Sequence, residues 1–83
     1  MTYAVELKPR AVKDLRRVGK RDASRILNAL DRLKDNLTGD VKKLTDATSE
    51  YRLRVGQFRM LFEIEEQSRI VVYRVVHRRE AYR

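Results

Sequence analysis

Residue types that build covalent or metal-bound sites are scarce in this chain. It has no cysteine and a single histidine, His77. Disulfides and thiolate metal sites are therefore excluded, and so is a structural zinc site made of the usual cysteine and histidine ligands. We expect no metal and no other cofactor.

Long apolar runs are also missing. The N-terminus lacks the apolar core of a signal peptide, and no apolar stretch approaches the length of a membrane span. We therefore expect a cytoplasmic protein. The 83 residues, of which 42% are hydrophobic, are enough for one small globular domain over residues 1–83.

Positive charge is present in excess. Twenty Lys and Arg residues against twelve Asp and Glu residues give a net charge of +8. Every basic residue from position 50 onward is arginine, whose planar fork suits phosphate better than the point charge of lysine. The balance favours a polyanionic partner such as nucleic acid or an acidic protein, and the alternative is a charge that serves solubility alone.

Strict alternation of apolar and basic residues predicts a β-hairpin over residues 51–59, with Gly56-Gln57 as its two-residue turn. Arg54 and Arg59 then become direct cross-strand neighbours, where like charges repel. The simplest reason to keep such a pair is an anion held between the two guanidiniums. The predicted register pairs Val55 with Phe58, Arg54 with Arg59 and Leu53 with Met60.

The rest of the chain predicts one further strand before the hairpin and one after it, with two helices between the first strand and the hairpin. A strand over residues 2–7 precedes a helix from Pro9 to Val18, with Gly19 as its C-cap. A second helix, capped by Asp22, carries an apolar stripe at helical spacing. Residues 40–49 are turn-prone, and strands follow over residues 58–65 and 69–77. The stripe consists of Ala23, Ile26, Leu30, Leu33 and Leu37.

This order, β-α-α-β-β-β, predicts an α+β fold in which an antiparallel helix hairpin packs on one face of a mainly antiparallel four-stranded sheet. The other face would be open and lined by Arg52, Arg54 and Arg59, with little acid among them. The last strand can add Arg74 and Arg78 to that face.

An arginine-lined groove of this kind can bind the phosphate backbone of single-stranded RNA. RNA carries its own nucleophile in the 2′-OH, and convergent arginines could stabilise the charge that develops during cleavage. Arginine is a poor proton acceptor near neutral pH. The candidates for proton transfer are therefore His77, which could equally be a buried, hydrogen-bonded structural residue, and Tyr82, which could instead anchor the C-terminus.

The block Tyr-Arg-Leu-Arg-Val-Gly-Gln-Phe-Arg (51–59) and the tail His-Arg-Arg-Glu-Ala-Tyr-Arg (77–83) resemble the RelE branch of the RelE/ParE toxin superfamily. The resemblance implies a microbial-ribonuclease-like fold and the toxin of a toxin–antitoxin module. It implies an endoribonuclease that cuts mRNA in the ribosomal A site by 2′-OH attack without metal. It also implies an acidic RelB-like antitoxin that holds the toxin in a hetero-oligomer.

Site residues follow from the same resemblance. Arg54, Arg59 and Arg78 would hold the scissile phosphate, with Arg79 as the alternative to Arg78. Arg52 would add charge stabilisation, and Tyr82 would stack on a base and assist the 2′-OH. Relatives carry Lys at the positions of Arg52 and Arg54, and arginine replaces the charge of lysine but hardly its proton chemistry. The alternatives are a ParE-like inhibitor of DNA gyrase and a non-toxic relative that binds antitoxin. The residues expected to add RNA contacts are Arg74, His77 and Arg79.

Overall fold

The chain folds into a helix hairpin that covers one face of a mixed sheet. A computed structural model describes residues 2–44 and 50–81. The sheet order is β1-β5-β4-β3-β2, with β1 parallel to β5 and the other neighbours antiparallel. The elements are β1 (Ala4–Leu7), α1 (Pro9–Arg17), α2 (Lys20–Leu33), β2 (Asp40–Lys43), β3 (Glu50–Val55), β4 (Phe58–Glu65), β5 (Arg69–His77) and α3 (Arg78–Ala81).

The α+β class and the helix hairpin on one face are confirmed, but the sheet has five strands rather than four. The additional strand is β2, which lies in the segment that the sequence assigned to a turn and which pairs antiparallel with β3. The sequence of β2 shows no alternation of apolar residues, because only Val41 packs against the core and the other three residues are charged. Charged residues are a usual feature of edge strands. The rest of the predicted turn, 45–49, lies outside the described residues.

Both ends of α2 differ from the prediction. Gly19, with φ +86°, is the N-cap, so Asp22 lies in the first turn instead of capping the helix. The helix ends at Leu33, and the chain then reverses through Asn36 and Leu37, both with φ +57°. Leu37 still packs against the core. The apolar spacing therefore continues past the helix because the chain folds back onto the same surface.

The core lies between the helices and the sheet face that carries Leu53, Met60 and Phe62. The hairpin register is confirmed, with Val55 opposite Phe58, Arg54 opposite Arg59 and Leu53 opposite Met60. The fully or nearly fully buried residues of the core are Ala11, Ile26, Leu30, Leu33, Leu53, Met60, Phe62, Ile70, Val72 and Val75.

A β-bulge interrupts the pairing of β4 with β5. Phe62 lies opposite Val72 and Leu61 opposite Arg74, so Tyr73 is the extra residue. The alternation slips by one position there, which allows both Val72 and Val75 to face the core. The bulge also places Arg74 where its side chain meets α1.

Gly39, at the entry to β2, should not tolerate a side chain. Its φ is +139°, and a Cβ atom would lie 2.8 Å from Cδ1 of the buried Leu53. We expect Gly39→Ala to lower the free energy of unfolding by about 1–3 kcal/mol in urea titrations. Gly19→Ala is the matched control, since Gly19 also has a positive φ but nothing within 4 Å of its Cβ position. An equal loss in both variants would show that the Leu53 contact is irrelevant.

Candidate functional site

Several of the predicted site residues lie at or beside the β3–β4 turn. Gly56 has φ +59°, which the tight turn requires. The N–H of Arg78 donates to the carbonyl of Gln57 at 2.7 Å, so the end of β5 and the start of α3 are fixed against this turn. Arg78 and Arg79 are both exposed. Arg54 stands two residues before Gly56, with its side chain 57% exposed.

Arg54 and Arg59 are cross-strand neighbours, but their charged groups have separate partners. Arg54 Nε lies 3.9 Å from the carboxylate of Asp40 on β2. Arg59 is only 4% exposed, and its Nη1 donates to the carbonyls of Gly56 at 3.1 Å and Phe58 at 2.9 Å. The expectation that Arg59 lines an open face is therefore wrong, because the turn carbonyls draw its guanidinium inward. An anion between the two arginines is not needed to explain the pair.

Arg25 of α2 is a functional candidate that the sequence did not reveal. Its guanidinium lies against the turn, so that a Cβ atom added to Gly56 would be 3.0 Å from Arg25 Nη2. Its side chain is 60% exposed and its Nη1 lies 4.0 Å from Asp22. Residues 25 and 56 are brought together only by packing of α2 on the sheet, for which the local sequence carries no signal. We define the turn cluster as the exposed arginines Arg25, Arg54, Arg78 and Arg79.

His77 forms hydrogen bonds to the β3–β4 turn and to the start of α3. The N–H of Arg79 lies 3.3 Å from His77 Nδ1, and His77 Nε2 lies 3.1 Å from Oε1 of Gln57. Because a backbone N–H can only donate, Nδ1 accepts, and Nε2 carries the proton that is donated to Gln57. The ring also meets Phe58 edge-on, with 5.5 Å between centroids. These contacts support the structural interpretation of His77 over the catalytic one.

Arg74 is engaged in an ion pair. Its Nε donates to Oδ2 of Asp14 at 2.8 Å, and the same oxygen accepts the N–H of Val75 at 2.9 Å. Asp14 is 5% exposed and also has Arg10 Nε at 3.6 Å. In this position Arg74 joins α1 to β5 across the bulge, and its contact with RNA stays a prediction.

Burial alone would raise the pKa of the Asp14 carboxyl. The hydrogen bonds from Arg74 and Val75, with the charges of Arg74 and Arg10, outweigh burial and hold that pKa below its ordinary value. The sequence did contain a signal for this residue. Asp14 is three residues from Ala11 and four from Val18, on the apolar side of α1, where a lone acid calls for a buried partner.

The sheet face opposite the helices carries more acid than expected. Its basic side chains lie mostly toward the turn, and its acidic ones mostly toward the other end. Burial, together with Glu50 and Glu63, raises the pKa of Tyr73 there. The strand pairing places Glu6, Asp40, Glu50, Glu63 and Glu65 on this face, together with Lys42, Arg52, Arg54, Arg59 and Arg69.

Most of the positive charge lies on the helical side. Residues 8–34 contain ten basic and three acidic residues, a surplus of seven out of the net +8 of the whole chain.

The described part of the chain contains no group of three His, Asp or Glu side chains placed to bind a metal ion. No helix within it is long and apolar enough to cross a membrane. Tyr82, which was expected to be catalytic, lies outside the described residues.

Comparison with known proteins identifies the family. Residues 5–82 match the family model described as the ParE toxin of type II toxin–antitoxin systems. A protein named RelE1 from Methanocaldococcus jannaschii is 31% identical, over 96% of this chain and 93% of its own length.

Solved structures agree with this assignment. The RelB–RelE antitoxin–toxin complex of Methanococcus jannaschii matches with a TM-score of 0.76 and 30% identity, covering 92% of this chain and 93% of the other. The archaeal RelE–RelB complex of Pyrococcus horikoshii OT3 matches with a TM-score of 0.76 and 28% identity, covering 94% and 97%. The toxin–antitoxin complex RelBE2 of Mycobacterium tuberculosis shares the fold, with a TM-score of 0.79 and 24% identity, covering 93% and 99%. The chain therefore belongs to the RelE/ParE superfamily of toxins from type II toxin–antitoxin systems.

Proposed function

We propose that the chain is a ribosome-dependent endoribonuclease that cuts mRNA in the A site and so stops translation in the cytoplasm. The observation that carries the proposal is the turn cluster, in which four exposed arginines from α2, β3 and α3 lie at or near the β3–β4 turn. Guanidinium groups gathered near one turn can bind a phosphate and stabilise the negative charge that 2′-OH attack builds on it. The basic helical side adds sequence-independent attraction to RNA.

The site residues divide into two roles. Arg54 and Arg78 hold the scissile phosphate, with Arg52 beside them on β3. Arg59 and His77 act as positioning residues, because their hydrogen bonds fix the turn on which the phosphate-binding arginines stand. Proton transfer is assigned to Tyr82, since arginine is a poor base near neutral pH.

An acidic, RelB-like antitoxin is the proposed protein partner. The solved relatives from M. jannaschii and P. horikoshii are complexes of RelE with RelB. A net charge of +8 suits an acidic partner and RNA alike. The two are therefore expected to compete for the arginine-rich surface, which would make antitoxin binding inhibitory.

Expression of the chain alone tests the proposal. Growth should stop, and primer extension should find mRNA ends within codons on stalled ribosomes. Co-expression of the proposed acidic antitoxin should restore growth. Growth arrest with intact mRNA would exclude the nuclease.

Inhibition of DNA gyrase is the second candidate, because the matching family model describes the ParE toxin. A supercoiling assay with purified gyrase separates the two activities. Loss of supercoiling together with intact mRNA would favour the gyrase inhibitor, whereas the nuclease should leave supercoiling unchanged.

Arg25 should contribute to cleavage even though it lies on a helix far from the hairpin in sequence. We expect Arg25→Ala to slow mRNA cleavage about tenfold, as loss of one charged hydrogen bond of ~1.5 kcal/mol would. The control is Arg16→Ala, which removes an exposed arginine from α1, outside the turn cluster. Equal rates for Arg25→Ala and the wild type would remove Arg25 from the site.

A further inference from the structure

A cavity between the C-terminal half of α2 and the start of β2 lies beside the turn cluster. It encloses about 200 Å³, which suits a single nucleobase. The apolar part of its lining comes from Ala29 and the buried Leu53. The polar side chains of the lining are Arg32, Thr38, Asp40 and Arg54. An apolar surface with a few polar groups around it is typical of a site for a small ring system.

The cavity is continuous with the turn cluster because Arg54 belongs to both. On α2, Ala29 and Arg32 follow Arg25 by four and seven residues, so the three lie on the same side of the helix. The step from Arg25 to Ala29 is about 6 Å along the helix axis. An RNA strand whose phosphate contacts Arg54 can therefore place an adjoining base in the cavity.

The polar groups of the cavity include two acceptors. The side chain of Asp40 is 64% exposed, and its Oδ2 lies 3.9 Å from Arg54 Nε, which is too long for a hydrogen bond. Its carboxylate oxygens can therefore accept from a ligand. The Thr38 hydroxyl donates to the carbonyl of Asp35, so toward a ligand it can only accept. Arg32, which is exposed, supplies donors.

We propose that this cavity is a base-recognition subsite that selects guanine beside the scissile phosphate. Guanine presents two adjacent donors, N1–H and N2–H, on its Watson–Crick edge, and the Asp40 carboxylate can accept both. Its O6 and N7 are acceptors that suit the guanidinium of Arg32. Adenine has an acceptor at N1, which the carboxylate repels. The subsite rests on the proposed function, since it reads the RNA that the turn cluster is proposed to cut.

Binding of short RNA oligomers tests the subsite without ribosomes and without cleavage. The probes are fluorescent oligouridylates with one central guanosine, adenosine or inosine, 2′-O-methylated so that they cannot be cut. Titration with the purified chain, followed by fluorescence anisotropy, should show about tenfold tighter binding of the guanosine oligomer than of the adenosine oligomer. Inosine, which lacks the N2 amino group, should bind with intermediate affinity. Equal affinities for all three, or no measurable binding of any, would overturn the proposal.

A pair of aspartate variants tests the assignment of Asp40. Asp40→Asn should abolish the preference for guanosine, while its affinity for the adenosine oligomer stays equal or rises because a negative charge is removed. Asp31→Asn is the control, since it removes an exposed carboxylate of α2 that lies outside the cavity, and it should keep the tenfold preference. A preference that persists in Asp40→Asn, or is lost in both variants, would overturn the proposal.

Cleavage of mRNA on ribosomes by the same wild-type preparation separates the subsite from the nuclease. A chain that cuts mRNA but binds the three oligomers equally disproves the subsite alone. A chain that prefers guanosine through Asp40 without cutting mRNA supports the subsite and disproves the nuclease alone.

Discussion

Arg54→Ala should slow mRNA cleavage about a hundredfold, because removal of one donor to a developing oxyanion typically costs ~2.7–4 kcal/mol of barrier. The fold should be almost unaffected. The Arg54 side chain is 57% exposed, and its ion pair with Asp40, at 3.9 Å, is exposed on both sides. Such pairs contribute about 0–1 kcal/mol. Cleavage rates on programmed ribosomes, together with urea titrations, measure both quantities on one preparation.

Arg59→Ala is the contrasting variant, because its guanidinium is buried and bound to two turn carbonyls. It should lower the free energy of unfolding by about 2–3 kcal/mol. Its cleavage defect should largely follow from a loosened turn. Arg59→Ala with unchanged stability and a lost activity would instead place Arg59 on the phosphate, as the family resemblance implies.

Asp14→Asn should be among the most destabilising single changes on the helical side. The carboxylate has two hydrogen bonds, from Arg74 and Val75, and is 5% exposed. Its loss leaves the buried side of Arg74 without an anion, which costs about 3 kcal/mol in comparable cases. Asp31→Asn is the control, since the Asp31–Lys34 pair on α2 lies at 3.5 Å with the Asp31 side chain 78% exposed. That control should change the unfolding free energy by less than ~1 kcal/mol.

The pH dependence of the stability of Asp14→Asn tests whether its loss of stability arises from the missing charge. Because the folded-state pKa of Asp14 lies below its ordinary value of 3.8, its contribution is complete above that value and is lost as the pH falls through the folded pKa. The stability difference between wild type and Asp14→Asn should therefore be constant near neutral pH and shrink below about pH 4. A difference that persisted unchanged at lower pH would assign it to packing instead of charge.

The hairpin could be predicted because its signal is local. Alternation and a glycine at the turn fix the register, and the structure has the predicted pairs from Val55–Phe58 to Leu53–Met60. The strand β2 was missed because an edge strand paired on one side needs few apolar residues, and Val41 alone gives no period. The bulge at Tyr73 leaves no recognisable mark in a strand that is apolar on both faces.

The contacts of the arginine side chains could not be predicted, because each side chain contacts groups that are distant in the sequence. Arg74 finds Asp14, sixty residues earlier, and Arg25 reaches Gly56 through helix packing. The sequence could place Arg54 and Arg59 side by side, but not show that Asp40 and the turn carbonyls separate their charges. The number of arginines on the open sheet face therefore overestimated the positive charge that this face offers to a phosphate.

The most direct test is cleavage of mRNA on purified ribosomes that carry an empty A site, with the wild-type chain beside Arg78→Ala. The 3′ ends of the mRNA are mapped over time, and folding of both proteins is checked by circular dichroism. We predict a cut within the A-site codon by the wild type and a rate about a hundredfold lower for Arg78→Ala. Uncut mRNA with the folded wild-type chain, or equal cutting by both proteins, would contradict the assignment of the turn cluster as a nuclease site.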